Sequence, residues 1–246
     1  MAGDDDTNAR GRGWLRGGPQ MTSRGYRPGV VGDIPPTVIA LSTVLILAFL
    51  ALWIAPASVD YAVSERLGLS PARLAAGGAG PGGWFWSIAP LFTHAVIHAT
   101  GPHLLFNLLW LVVFGAPVAR RFDSPLRFLA FFALCCAAGG AFFALFHWND
   151  PTLLVGASGG ITGLLGAVVR FAFHRPASKP ASPKGVLPLT DRSVLTWSAV
   201  VIAMNASIAV FGPGVGAGDV EIAWEAHVGG YLFGLAAFPL FDPRRR

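Results

Sequence analysis

Long apolar runs without a charged residue limit the folds open to this sequence more than any other feature. The first extends from Pro36 to Ala55 and contains no charged side chain. A helix needs about 20 consecutive apolar residues to cross the hydrocarbon core of a bilayer. Across the chain 53% of the residues are hydrophobic and only 13% are charged, a balance that soluble domains rarely reach. We therefore expect an integral membrane protein.

Five further apolar segments bring the number of predicted spans to six. Their approximate bounds are Pro102 to Val118, Leu126 to Phe146, Leu154 to Phe173, Val194 to Gly212 and Ile222 to Phe241. This pattern predicts an all-α polytopic membrane protein with one membrane domain over residues 36–242. Residues 1–35 are polar and contain several arginines, so we expect a disordered cytoplasmic tail rather than a cleavable signal. Residues 243–246 are expected to form a short basic tail.

The Lys and Arg residues predict the direction of each span. Cytoplasmic loops of membrane proteins carry an excess of these residues. In a six-span arrangement, sixteen of the eighteen fall in the terminal segments and in the loops after the second and fourth spans, and only Arg66 and Arg73 fall on the other side. Both termini are therefore expected in the cytoplasm, and the arrangement suits a bacterial inner membrane.

The net charge of +5 does not indicate nucleic-acid binding. The basic residues lie in short clusters between apolar runs, and no basic stripe is interleaved with aromatic residues on a polar segment. No metal is predicted, because the sequence has no HExxH motif and no carboxylate shares a face with His94 and His98. No cofactor is predicted either. Adjacent Cys135 and Cys136 lack CxxC spacing and are expected to be small membrane-core side chains.

Polar side chains at membrane depth are costly, and each is therefore a candidate functional residue. Several approach or enter the starts of the second, fourth and sixth spans: His98, His103, Asn107, Ser158 and His227. These spans share one direction in the charge-derived topology, so their starts lie at one level in the outer half of the membrane. The Ser158 hydroxyl, two imidazoles (His103 and His227) and the Asn107 carboxamide are thus expected to converge in one pocket.

These residue types suit acyl transfer. A serine hydroxyl becomes nucleophilic when a neighbouring imidazole takes its proton. The oxyanion that then forms needs donors, which His103, Asn107 and the backbone N–H of Ser158 can supply. Small residues would let the fourth and sixth spans pack closely and bring His227 to Ser158. They are Gly159, Gly163 and Gly166 on one span, and Gly230 and Gly234 on the other.

Each residue also has a simpler interpretation. Ser158 alone fits a helix-packing serine, and His227 alone fits an interhelical hydrogen bond. Asn205 lies near the middle of the fifth span, so we expect it at a different level, in a helix–helix hydrogen bond. Glu225 lies two residues from His227 and is expected to point away from it.

The motifs together resemble the rhomboid family of intramembrane serine proteases, from the first span to the end of the chain. They are Gly156-Ala157-Ser158-Gly159 for its GxSG, His98, His103 and Asn107 for its second-span pattern, and Ala226-His227-Val228-Gly229-Gly230 with Gly234 for its AHxxG and GxxxG. The resemblance implies a six-helix bundle that cleaves in or near membrane-spanning segments of other proteins. It implies Ser158 as nucleophile, His227 as general base, and His103, Asn107 and Ser158 at the oxyanion hole. Gly156, Gly159, His98, Gly230 and Gly234 would support the site.

The sequence departs from the family pattern in three places. Ala89-Pro90 replaces Trp-Arg in the first loop, Ala119 replaces a glutamate after the second span, and Thr162 replaces a tyrosine that packs on the general base. The last departure removes an aromatic side chain that would orient His227. An alternative is a catalytically inactive relative that binds membrane segments. A transporter or channel would show charges or inverted repeats within the membrane, and neither is visible.

Overall fold

The computed structural model describes residues 33–79, 82–173, 185–211 and 222–243. The chain separates into two units, residues 1–33 and 34–246, and every described helix belongs to the second. Within the described ranges there is no β-strand, and Leu69 and Leu154 form an isolated antiparallel bridge. The expected disordered tail lies almost wholly outside the described residues, as does most of the basic tail. Those two boundaries therefore stay predictions.

Eleven α-helices make up the described part of the second unit. They are α1 (Pro36–Trp53), α2 (Ala57–Leu67), α3 (Pro71–Ala76), α4 (Gly83–Ile88), α5 (Pro90–Thr93), α6 (Gly101–Trp110), α7 (Ala116–Phe122), α8 (Pro125–Phe146), α9 (Ser158–Phe171), α10 (Arg192–Phe211) and α11 (Trp224–Phe241). A π-helical turn, Leu111–Gly115, joins α6 to α7 in one continuous helix. Short 3₁₀ turns follow α3 and α5.

Three helical stretches are long and apolar enough to cross a membrane in the part of the chain that the structure describes: Pro36–Trp53, Gly101–Phe122 and Pro125–Phe146. Helix α9 is apolar but shorter, with 14 residues. Helices α10 and α11 have 20 and 18 residues and carry polar side chains such as Asn205 and His227. The all-α prediction is confirmed, whereas the count of six spans stays a prediction.

The centre of the bundle is formed by α8, α9 and α11. Buried phenylalanines fill it at the end of the bundle where α7 and α11 finish, and there Phe122 packs on Phe131 and Phe238. At the same end the Arg121 guanidinium donates to the Asp242 carboxylate at 2.6 Å, with both side chains buried. This end lies opposite the helix starts that carry the predicted site.

Short helices between α1 and α6 form a folded loop instead of a span. The Arg73 guanidinium donates to the backbone carbonyls of Glu65 and Gly68. The Thr93 hydroxyl donates to the Leu67 carbonyl at 2.7 Å. Trp84 and Phe85 are exposed, and exposed aromatic rings of this kind suit the headgroup layer of a membrane.

Candidate active site

Ser158 and His227 lie within hydrogen-bond distance of each other. His227 Nε2 is 2.8 Å from Ser158 Oγ. Ser158 is the first residue of α9, and His227 lies in the first turn of α11. Both side chains are partly buried. The structure thus brings together a hydroxyl and an imidazole from helices far apart in sequence.

The segment before Ser158 explains why α9 starts at this residue. The sequence predicted a span from Leu154, but Leu154 pairs with Leu69 through two backbone hydrogen bonds of 3.0 and 2.8 Å. Gly156 then adopts φ +115°, which L side chains rarely adopt, and its N–H donates to the His94 carbonyl at 2.9 Å. The predicted start was therefore wrong by four residues. Because Ser158 opens a helix, its N–H has no acceptor within that helix.

Glycines allow the backbones of α9 and α11 to touch beside the pair. A Cβ on Gly159 would lie 3.2 Å from the Ala226 carbonyl oxygen, and one on Gly230 would overlap the Gly159 carbonyl. A Cβ on Gly234 would overlap the carbonyl of Gly163. At Gly230 and Gly234 only a residue without a side chain permits this approach, which puts His227 next to Ser158.

Thr162 fastens the same two helices through its hydroxyl. Its Oγ1 lies 3.0 Å from the Ser158 carbonyl, 2.9 Å from the Gly159 carbonyl and 3.0 Å from the His227 carbonyl. The first two contacts are within α9, and the third crosses to α11. Thr162 was singled out in the sequence only as a missing tyrosine. Its position four residues after Ser158 was the signal that its hydroxyl would stay close to the site.

Asn205 contacts the second ring nitrogen of His227. Its Oδ1 lies 3.1 Å from His227 Nδ1. The expected helix–helix hydrogen bond is therefore present, between α10 and α11, but the expectation that Asn205 lies at a different level was wrong. Asn205 lies six residues before the end of α10, about 9 Å along the axis. From this position its side chain reaches the imidazole ring of His227.

His103 and Asn107 lie on one face of α6, which begins after a cap. The Thr100 side chain accepts from the His103 N–H at 3.2 Å. A Cβ on Gly156 would lie 2.7 Å from two atoms of the His103 ring, so that ring packs on the backbone just before Ser158. Asn107 is buried, and its Nδ2 donates to the His103 carbonyl at 2.8 Å.

Several buried polar atoms beside this face have no hydrogen-bond partner among the described residues. They are His98 Nδ1, His98 Nε2, His103 Nδ1 and Asn107 Oδ1. His98, expected to support the site, contacts His103 ring to ring, with centroids 5.1 Å apart. Buried polar groups of this kind usually have a partner, so the cluster suits a polar ligand.

Other ionisable groups near the start of α11 point elsewhere. Glu225 Oε1 lies 3.1 Å from His147 Nε2. His147 also stacks on Phe143, with ring centroids 4.3 Å apart. The expectation that Glu225 turns away from His227 thus agrees with its position. No group of three or more His, Cys, Asp or Glu residues able to hold a metal occurs within the described ranges.

Comparison with known proteins assigns the chain to a family. A family model described as "Rhomboid domain" matches residues 85–243. The chain is also similar to the "Rhomboid protease GlpG" of Haemophilus influenzae, with 27% identity over 143 residues. That match covers 58% of this chain and 64% of the relative, which is less than two thirds of the relative's length. The family match includes the loop before α6 and every helix from α6 to α11, and on this basis the chain belongs to the rhomboid family of integral membrane proteins.

Proposed function

We propose that the chain is an intramembrane serine endopeptidase that uses Ser158 as nucleophile and His227 as general base. The observation that carries the proposal is the 2.8 Å distance between Ser158 Oγ and His227 Nε2 at the start of two apolar helices. The family match and the similarity to a rhomboid protease support the same reaction class.

The chemistry follows from this distance. His227 Nε2 takes the hydroxyl proton as Ser158 Oγ attacks a peptide carbonyl carbon, which becomes tetrahedral and carries an oxyanion. His227 then gives the proton to the leaving amine, and water later releases the acyl group in the same two steps. The N–H groups at the start of α9 suit the oxyanion, because the helix dipole favours negative charge there.

His103 and Asn107 are proposed as further donors to the oxyanion. The His103 ring lies against Gly156, two residues before the nucleophile. Asn107 Nδ2 uses one hydrogen for the His103 carbonyl, and an amide nitrogen has a second hydrogen to donate. A donor of this kind typically contributes about 2.7–4 kcal/mol to transition-state stabilisation. Asn107→Ala is therefore expected to lower kcat by about 100- to 1,000-fold.

Substrates are proposed to be membrane-spanning segments of other proteins within the bilayer. A helix must unwind to present a carbonyl to Ser158, so small and helix-destabilising residues are expected near the cleaved bond. The charge distribution supports a topology with both termini in the cytoplasm and the site in the outer half of the membrane. A bacterial inner membrane fits that topology.

Fluorophosphonate labelling tests the proposal directly. The purified protein in detergent should react with the probe at Ser158, and it should cleave a reference membrane-spanning substrate. Both activities should disappear in Ser158→Ala and in His227→Ala. Ser207→Ala is the matched control, because Ser207 is an exposed serine whose hydroxyl donates to the Met204 carbonyl of its own helix.

Two results would oppose the proposal. Labelling that persists in Ser158→Ala would place the reactive serine elsewhere. A wild-type protein that neither labels nor cleaves, yet binds membrane segments with an affinity unchanged by Ser158→Ala and His227→Ala together, would favour an inactive binding protein of the same family.

A further inference from the structure

We propose that Asn205 is a positioning residue that holds His227 in the tautomer needed for catalysis. This inference rests on the proposed function of Ser158 and His227. It adds a neutral third member to the pair, supplied by α10, where the sequence resemblance implied a pair acting alone. Asn205 touches no reacting atom and acts only through the imidazole ring of His227.

The orientation of the Asn205 amide follows from its neighbours. Nδ2 lies 2.9 Å from the Val201 carbonyl oxygen, one turn earlier in α10. A carbonyl oxygen only accepts, so the atom facing it must be the amide nitrogen. The oxygen of the same amide is therefore the atom 3.1 Å from His227 Nδ1. Asn205 is buried, so water does not compete readily for either contact.

The amide oxygen in turn selects the tautomer of His227. An amide oxygen cannot donate, so the 3.1 Å contact with Nδ1 is a hydrogen bond only when Nδ1 carries the hydrogen. In the neutral ring, Nε2 then has a free lone pair, and it faces Ser158 Oγ at 2.8 Å. The other tautomer would turn an N–H toward the hydroxyl and leave Nδ1 facing the amide oxygen lone pairs. Only the first tautomer can act as general base toward Ser158.

The same contact also strengthens during the reaction. When Nε2 takes the proton from Ser158, the imidazole becomes a cation whose Nδ1–H points at Asn205 Oδ1. Hydrogen bonds from charged donors are roughly twice as strong as neutral ones. Asn205 therefore stabilises the charged intermediate more than the resting ring, and its loss is expected in kcat rather than in KM.

No other described side chain makes this contact with the ring. Glu225, the nearest carboxylate in sequence, bonds to His147. Thr162 bonds to the backbone carbonyl of His227 and not to its imidazole. Within the described ranges, the His227 ring forms its hydrogen bonds with Ser158 and Asn205.

Asn205→Leu tests the kinetic part of the proposal, because leucine has a similar shape and no acceptor. We expect kcat to fall by about 10- to 100-fold, or about 1.4–2.7 kcal/mol in the barrier, with KM changed less than twofold. Asn205→Asp keeps the acceptor and is expected to retain more of kcat than Asn205→Leu. Ser198→Ala is the matched control, because it removes another side-chain hydrogen bond between the described parts of α10 and α11, the one between Ser198 Oγ and Tyr231 Oη at 2.8 Å.

The control separates positioning from helix attachment. If Asn205 served only to hold α10 against α11, Ser198→Ala would lower kcat as much as Asn205→Leu. That result would overturn the proposal, and so would an unchanged kcat in Asn205→Leu. A loss confined to Asn205→Leu supports it.

The tautomer itself is read by ¹⁵N NMR of histidine-labelled protein in micelles, at a pH where the ring is neutral. We expect a protonated Nδ1 and an unprotonated Nε2 for His227 in the wild type, assigned by comparison with His227→Gln. Asn205→Leu should shift the population toward the other tautomer, while Ser198→Ala should not. A wild-type ring protonated at Nε2 overturns the proposal even if Asn205→Leu does not fold.

This measurement also separates the two proposals. It needs no turnover, so a protein with the expected tautomer but no reactivity toward the probe would contradict the protease function and leave only the effect of Asn205 on the His227 tautomer standing. An active protein whose His227 carries the hydrogen on Nε2 would contradict the positioning role of Asn205 and leave the protease function standing.

Discussion

Gly166 lies on α9 where that helix meets the backbone of α11, and replacing it with alanine tests the packing that brings the candidate site together. A Cβ at this position would lie 2.5 Å from the Tyr231 carbonyl oxygen and 2.7 Å from the Leu235 nitrogen. Ordinary contacts of a carbon atom begin at about 3.5 Å. The two helices must therefore separate locally by about 1 Å, and neither contact is with a flexible side chain that can turn aside.

The expected cost follows from this geometry. Inserting a methyl group into a packed interior that cannot yield costs about 1–3 kcal/mol. For a chain of this size, each kcal/mol lowers the unfolding temperature by about 2–4 °C, so Gly166→Ala is expected to lower Tm by about 2–12 °C. Gly101→Ala is the matched control, because a Cβ on Gly101 would meet nothing within 4 Å. That change should leave Tm unchanged or raise it slightly, since alanine lowers the entropy of the unfolded chain.

Thermal unfolding of the purified proteins, followed by intrinsic tryptophan fluorescence in one detergent, measures both values. The reasoning predicts that the two Gly→Ala variants differ in Tm by at least 2 °C, with Gly166→Ala the lower. Equal melting temperatures, or a lower value for Gly101→Ala, would mean that α9 and α11 do not pack backbone to backbone at Gly166. The close approach of His227 to Ser158 would then need another explanation.

Two further perturbations concern other contacts. Arg121→Ala removes one partner of a buried ion pair with an N–O distance of 2.6 Å. It is expected to destabilise the fold by about 3–5 kcal/mol, while Arg121→Met with Asp242→Leu should recover much of the loss in the same thermal assay. Thr162→Val keeps the shape but removes the hydroxyl that reaches the His227 carbonyl. It should lower stability by about 1 kcal/mol and slow fluorophosphonate labelling of Ser158, whereas an unchanged labelling rate would show that this contact does not position His227.

Most of the helix positions were predictable from the sequence because each apolar run is bounded by polar or turn-forming residues. The first and third predicted spans match Pro36–Trp53 and Pro125–Phe146 within about two residues. The start of α9 was not predictable in the same way. Apolar residues continue back to Leu154, and only the pairing of Leu154 with Leu69 and the positive φ of Gly156 exclude them from the helix.

The sequence could predict which residues of the candidate site lie at the same depth in the membrane. Ser158, His103 and His227 lie near helix starts, and the topology predicted from charges places those starts at one level. The role of Asn205 was not predictable, because position within an apolar run gives only a rough height. It does not say which face of α10 meets α11. The Asn205 Oδ1 to His227 Nδ1 distance of 3.1 Å depends on that rotation, which the tertiary packing sets.

The contacts of His227 bear on the position where Thr162 replaces the tyrosine of the family pattern. A tyrosine that packs on the general base would hold the ring by contact with its face, and Thr162 is too short to do so. Here the orientation of His227 is constrained at two other points: the Thr162 hydroxyl bonds to its backbone carbonyl from α9, and Asn205 bonds to its ring from α10. The Asn205 contact fixes both the direction of the ring and the nitrogen that carries the hydrogen, whereas packing on its face would fix only a plane. The pair of contacts can therefore replace aromatic packing, and it makes the geometry of Ser158 and His227 depend on the position of α10.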